Sequence, residues 1–85
     1  MALRNTYHLA PEDQTGAAHI ALYIAGEDAE RRKLKRRGWI KLTAAAAYGL
    51  LGRERCTPHA SRGLWKGRVT TEGIRWEHTQ EQLVK

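Results

Sequence analysis

The segment Ala44–Leu51 (AAAAYGLL) constrains this chain more tightly than any other. Four consecutive alanines favour helix, and their small side chains let a neighbouring element pack closely. Thr43 offers a capping hydroxyl in front of the run and Gly52 a stop behind it. Three- and four-residue spacing puts Tyr48 and Leu51 on one face with Ala44 and Ala47. The surrounding punctuation extends the reading. Residues 39–42 (WIKL) read as a short strand and residues 53–56 (RERC) as a turn. Thr57–Pro58 pairs a capping hydroxyl with a preset φ, which predicts a second helix over 58–66, stopped by Gly67. Gly63 inside that helix costs up to about 1 kcal/mol relative to alanine.

Residues 68–77 read as a β-hairpin, with β-branched residues on both sides of Glu72–Gly73. Thr79–Gln82 has capping-box spacing and predicts a short C-terminal helix. Towards the N-terminus, residues 1–10 are an arm or a short strand. Pro11, Glu12 and Asp13 suit the first turn of a helix that continues through Ile20, Leu22 and Ile24 to Gly26. A further helix starts at Glu27, with acids leading and Lys35, Arg36 and Arg37 closing it before Gly38. Its apolar seam is thin, essentially Ala29 and Leu34. With 85 residues there is material for one domain and a modest core. The expected fold is α+β and mostly α, with residues 1–38 forming an N-terminal arm and helices ahead of a unit over 39–85. Phe is absent, so Trp39, Trp65 and Trp76 supply the large anchors, and Trp76 is expected in the core.

Charge is segregated along the chain. Residues 31–75 hold thirteen bases against Glu54 and Glu72, a net +11, whereas residues 1–30 come to −4 and residues 76–85 to −1. A bland soluble surface intersperses both signs, so this distribution points to a polyanionic partner. The single Cys56 excludes an internal disulfide. No stretch resembles a signal peptide or a bilayer span, and a cytoplasmic protein is expected. Catalysis has no evident residues: there is no Ser–His–acid set, no Gly-rich phosphate loop and no four-ligand metal spacing. Cys56 and His59 alone cannot hold zinc. No cofactor is expected.

The pieces Leu42–Thr43, Ala44–Gly52, Thr57–Lys66, Gly67–Val69, Ile74–Trp76 and Gln80–Leu83 together resemble the winged helix-turn-helix of phage excisionases and MerR-like regulators. The resemblance covers roughly the C-terminal half. It implies a DNA-binding protein of a phage or mobile element, either a transcriptional regulator or an excisionase-like architectural factor. Helix 58–66 would enter the major groove and the 68–77 wing would meet backbone or minor groove.

On that helix His59, Arg62 and Lys66 share a side by three- and four-residue spacing, with Ser61 nearby, and these are the candidate base and phosphate contacts. Arg68 and Arg75 in the hairpin, and Arg31, Arg32, Arg36, Arg53 and Arg55 elsewhere, are candidate phosphate contacts. Double-stranded DNA is thus the leading partner, bound by a homodimer or a cooperative array. Two other readings stay open. One is an RNA-binding or ribosome-associated basic protein that stacks bases on Trp39 or Trp65. The other is a small phage inhibitor whose basic half meets an acidic host protein. No membrane partner is expected.

Overall fold

Ile20, Leu22 and Ile24 alternate with Ala21, Tyr23 and Ala25, so residues 19–25 are apolar on both sides when extended. In the computed structural model, which describes residues 5–11, 19–56 and 62–79, this stretch is a central strand with both faces covered. It belongs to a five-stranded antiparallel sheet. The strands are β1 (Thr6–Leu9), β2 (His19–Ala25), β3 (Ile40–Leu42), β4 (Gly63–Thr70) and β5 (Gly73–Thr79), in the spatial order β3-β1-β2-β4-β5. Two helices, α1 (Asp28–Arg36) and α2 (Ala44–Leu51), and a 3-10 turn (Arg53–Cys56) complete the described elements.

Register fixes which side chains share a face. Tyr7 lies opposite both Ile24 and Leu42, Leu22 opposite both Leu9 and Trp65, and Gly67 between Ile20 and Trp76. This face carries Tyr7, Leu22 and Ile24 and is closed by Ala47 and Leu51 of α2 and by Cys56. The other face carries Tyr23, Ala25 and Leu64, closed by Leu34 of α1 and flanked by Trp39. One helix therefore seals each side of the central strands. Gly67 is small for a reason of space: a Cβ there would lie 2.6 Å from Ile74, 2.8 Å from Trp76 and 2.9 Å from Ile20.

The expected winged helix-turn-helix is not the fold. Residues 19–25 form β2 rather than helix, because a short apolar run looks alike in both states and the β-branched and aromatic residues here favour a strand buried on both sides. Residues 63–66 open β4 rather than closing a helix. Gly63 adopts φ +122°, a conformation open to glycine and foreign to a helix interior. It opens β4, and its pairing with Ile24 closes the end of the β2–β4 ladder. The earlier part of the expected helix 58–66, and the C-terminal helix beyond Thr79, lie outside the described residues. The hairpin is present, but it spans 63–79 and forms part of the main sheet instead of a separate wing.

Other expectations hold. Residues 40–42 are a strand, and α2 runs from Ala44 to Leu51 with the Thr43 hydroxyl accepting from the Ala46 amide at 3.2 Å. Tyr48, however, is 40% exposed; Ala47 and Leu51 make the buried face. The helix expected from Glu27 is α1. The Glu30 carboxylate accepts from the amides of Gly26 and Glu27 at 3.1 Å each, anchoring its first turn.

The Tyr7 hydroxyl donates to the Cys56 carbonyl at 2.9 Å in a buried bond between strand and 3-10 turn. Tyr7→Phe removes the donor and leaves that carbonyl without this partner. The expected loss is about 1 kcal/mol, read as a lower urea midpoint at unchanged m-value.

Candidate nucleic-acid interface

Alternation along β4 starts from Leu64, which packs beneath α1, and puts Lys66 and Arg68 on the same side of the sheet. Arg75 and Glu77 of β5 lie opposite Arg68 and Lys66, and His19 of β2 lies opposite Arg68 from the other side. Lys41 of β3 pairs with His8 of β1, which pairs with Tyr23, so they share this face too. α1 adds Arg31, Arg32, Lys33, Lys35 and Arg36 around its single buried residue, Leu34, and Arg37 follows as its C-cap. The helix covers Tyr23, Ala25 and Leu64 and leaves the hairpin end of the face uncapped.

Two clefts open on this side. One, about 420 Å³, lies at the hairpin end among His19, Lys66, Arg68, Arg75 and Glu77. The other, also about 420 Å³, has β1 and β3 as its floor (His8 and Lys41) and α1 and Trp39 as its wall. Acids near α1 are committed: Asp28 pairs with Arg31, and Glu30 accepts from the Tyr23 hydroxyl as well as from backbone. Burial and the Glu30 carboxylate push the Tyr23 phenol up to about 12, so it remains a donor.

The sequence-derived candidates separate on this frame. Lys66, Arg68 and Arg75 come together on the hairpin, and Arg31, Arg32 and Arg36 on α1 join them on the same side. Arg53 and Arg55 do not: their turn follows α2 and delivers Cys56 to the opposite core. Arg55 has structural work there, donating to the Leu51 carbonyl at 3.0 Å and standing 5.9 Å from the Trp65 ring centroid. Arg62 precedes β4 rather than sitting on a helix; its Nε donates to Asn5 at 2.9 Å. His59 and Ser61 lie outside the described residues.

Trp65 is half-buried and stacks on His78 at 4.5 Å. Trp76 packs against the core and donates to the Leu50 carbonyl at 3.1 Å. Cys56 is buried, and burial pushes its thiol up, so it behaves as a small packed group.

Sequence reasoning passed over His8, Lys35, Lys41 and Trp39 as a group. His8 is 3% exposed, and its Nδ1 has no hydrogen-bond partner among the described residues. Burial, first, and then the Lys41 and Arg31 charges lower its pKa, against a backbone contact with Tyr23 that favours the proton. Among the described residues no helix is long and apolar enough to cross a membrane. No family model, curated protein or solved structure matches this chain.

Proposed function

We propose that the protein binds duplex nucleic acid, DNA foremost, by holding phosphates against the α1 side of its sheet. The observation that carries this reading is the one-sided placement of charge: α1, Lys41 and the hairpin bases fall on one face, while Arg53 and Arg55 sit beside Glu54 on the other. Arg68 and Arg75 lie directly across the β4–β5 ladder, where like charges repel. A polyanion laid over the pair relieves that repulsion. The exposed large apolar residues among those described are Ile40, Tyr48 and Val69. Of these only Tyr48 is aromatic, and it stands on α2 across the sheet from the basic side. Phosphate contact with a duplex fits this surface better than base stacking on a single strand.

The test is fluorescence anisotropy with a labelled random-sequence duplex over a series of salt concentrations. Affinity is expected to fall steeply with salt, with a log–log slope of about −0.9 for each phosphate contact. Arg68→Ala/Arg75→Ala should make the slope shallower by about 2, and Arg53→Ala should leave it unchanged. Absence of duplex binding at roughly 0.1 M salt, where the Debye length is about 10 Å, would end this reading. A double variant that binds like the parent would remove the hairpin from it.

A further inference from the structure

The cleft over β1 and β3 differs in build from the open hairpin surface. Among the described residues its polar lining is basic or histidine: Arg31, Arg32 and Lys35 from α1, Lys41 from β3, and His8 beneath. Trp39 supplies an aromatic wall, half-buried and set edge-on to Tyr23 with ring centroids 6.2 Å apart. Arg31 is held by Asp28, whereas Arg32, Lys35 and Lys41 are exposed. A volume of about 420 Å³ falls in the range of small-molecule sites, about 300–1,000 Å³. That is more room than an inorganic anion needs.

We propose that this cleft binds a nucleoside phosphomonoester, its phosphate held by Arg32, Lys35 and Lys41 and its base set against Trp39. Phosphate chemistry follows from the lining, because three accessible cations border the cleft with no acid among the described lining residues. The nucleoside follows from the remaining volume and from the tryptophan, which offers a π surface to a planar ring.

His8 acts beneath the ligand through charge, because its Nδ1, which has no hydrogen-bond partner among the described residues, is covered. The groups that face it are Lys41 from β3 and Arg31 from α1, with the Tyr23 backbone on β2. Both cations disfavour a proton on the ring. A phosphate dianion between them reverses the local sign, so binding should draw a proton onto His8. The cleft thereby couples phosphate occupancy to pH. This inference goes beyond duplex binding and does not depend on it: a mononucleotide can occupy the cleft whether or not a duplex lies on the hairpin.

The shared chemistry has two sources, a free mononucleotide or the 5′-phosphorylated end of a strand. NMR titration of the full chain with AMP, adenosine, inorganic phosphate, and a dinucleotide with and without a 5′-phosphate separates them. AMP is expected to bind at least ten-fold more tightly than adenosine or inorganic phosphate, and the His8 ring signals should report a rise in its pKa on binding. Tighter binding of the 5′-phosphorylated dinucleotide than of AMP assigns the strand end as source; equal or weaker binding assigns the free nucleotide.

Lys35→Ala and Lys41→Ala, both at exposed positions, should each weaken AMP at least five-fold, and Arg53→Ala on the other face should not. AMP binding no better than adenosine or phosphate overturns the proposal. So does an affinity indifferent to Lys35 and Lys41, or a His8 pKa that stays put on saturation. Because AMP binding and the salt slope with duplex are separate readouts, either proposal can fail while the other stands.

Discussion

Replacing Leu34 with alanine should destabilise the protein by about 2–5 kcal/mol and weaken duplex binding by more than the unfolded fraction explains. The first number is the usual cost of truncating a fully buried leucine, and Leu34 is 0% exposed beneath α1. The second expectation comes from the composition of that helix. α1 has nine residues, DAERRKLKR, and Leu34 is its one buried residue. A helix so short is not stable on its own in water. Its termini help, through the Glu30 bonds to the Gly26 and Glu27 amides and the basic last turn, but such features contribute about 1 kcal/mol each.

Leu34 also closes the cluster formed by Tyr23, Ala25 and Leu64, so its truncation opens a void over the middle of the sheet. The bases of α1 would then leave the face they share with Lys66, Arg68 and Arg75. Urea unfolding measures the first effect, and anisotropy at a urea-free, fully folded temperature measures the second. A stability change below about 1 kcal/mol would show that α1 is not held by this contact. Unchanged duplex affinity in a destabilised variant would show that α1 does not contribute to binding.

The same residues explain how far the sequence could be read. Segments whose structure is set locally were legible: the alanine run between Thr43 and Gly52, the acid-to-base polarity of residues 27–37, and the turn at Glu72–Gly73 flanked by β-branched residues. Segments whose structure is set by distant neighbours were not. The stretch 19–25 is a strand because β1 and β4 pair with it on either side and helices cover both faces. Read alone, its apolar residues fit a helix following Pro11 equally well. Gly63 carried a warning in its own identity, since a glycine in mid-helix is costly. Its positive φ in the sheet is the resolution of that conflict.

The candidate site divides in the same way. Arg68 and Arg75 were legible as hairpin bases because β-branched residues flank the Glu72–Gly73 turn, whereas Lys66, expected on a helix, joins them only because β4 begins at Gly63. The cleft was not, because it joins His8 to Lys41 through a β1–β3 pairing between residues 33 positions apart. A histidine in a weakly patterned N-terminal segment gives no local sign of being buried. The one-sided charge of the folded surface was visible in sequence only as a net +11 over residues 31–75. Pairing decided that Arg53 and Arg55 would fall away from the rest.

His8→Phe should remove an acid-sensitive component of stability that the parent protein carries. In the folded chain burial, Lys41 and Arg31 hold the His8 pKa below its ordinary value, about 6.5 in an unfolded chain. Well above pH 6.5 neither state binds this proton, and the histidine has no pH-dependent effect. As pH falls below 6.5 the unfolded chain takes up a proton that the folded chain resists, so the unfolded state gains. Stability then declines with a slope approaching 1.4 kcal/mol per pH unit and levels off below the folded-state pKa. Phenylalanine has a similar ring and no proton to bind, so the difference between the two pH profiles isolates this one group from the carboxylates.

Near pH 7.5 the variant should be at least as stable as the parent. It fills a site that is 97% covered and removes an Nδ1 for which no partner is present among the described residues, a defect that otherwise costs about 1–3 kcal/mol. Urea midpoints at pH 7.5, 6.5, 6.0 and 5.5 decide the matter. Profiles that diverge below pH 6.5, with the parent falling faster, support a histidine kept neutral by its fold. Parallel profiles would mean that the ring protonates as readily inside the protein as outside it. The cleft above it would then have no charge conflict for a bound phosphate to relieve.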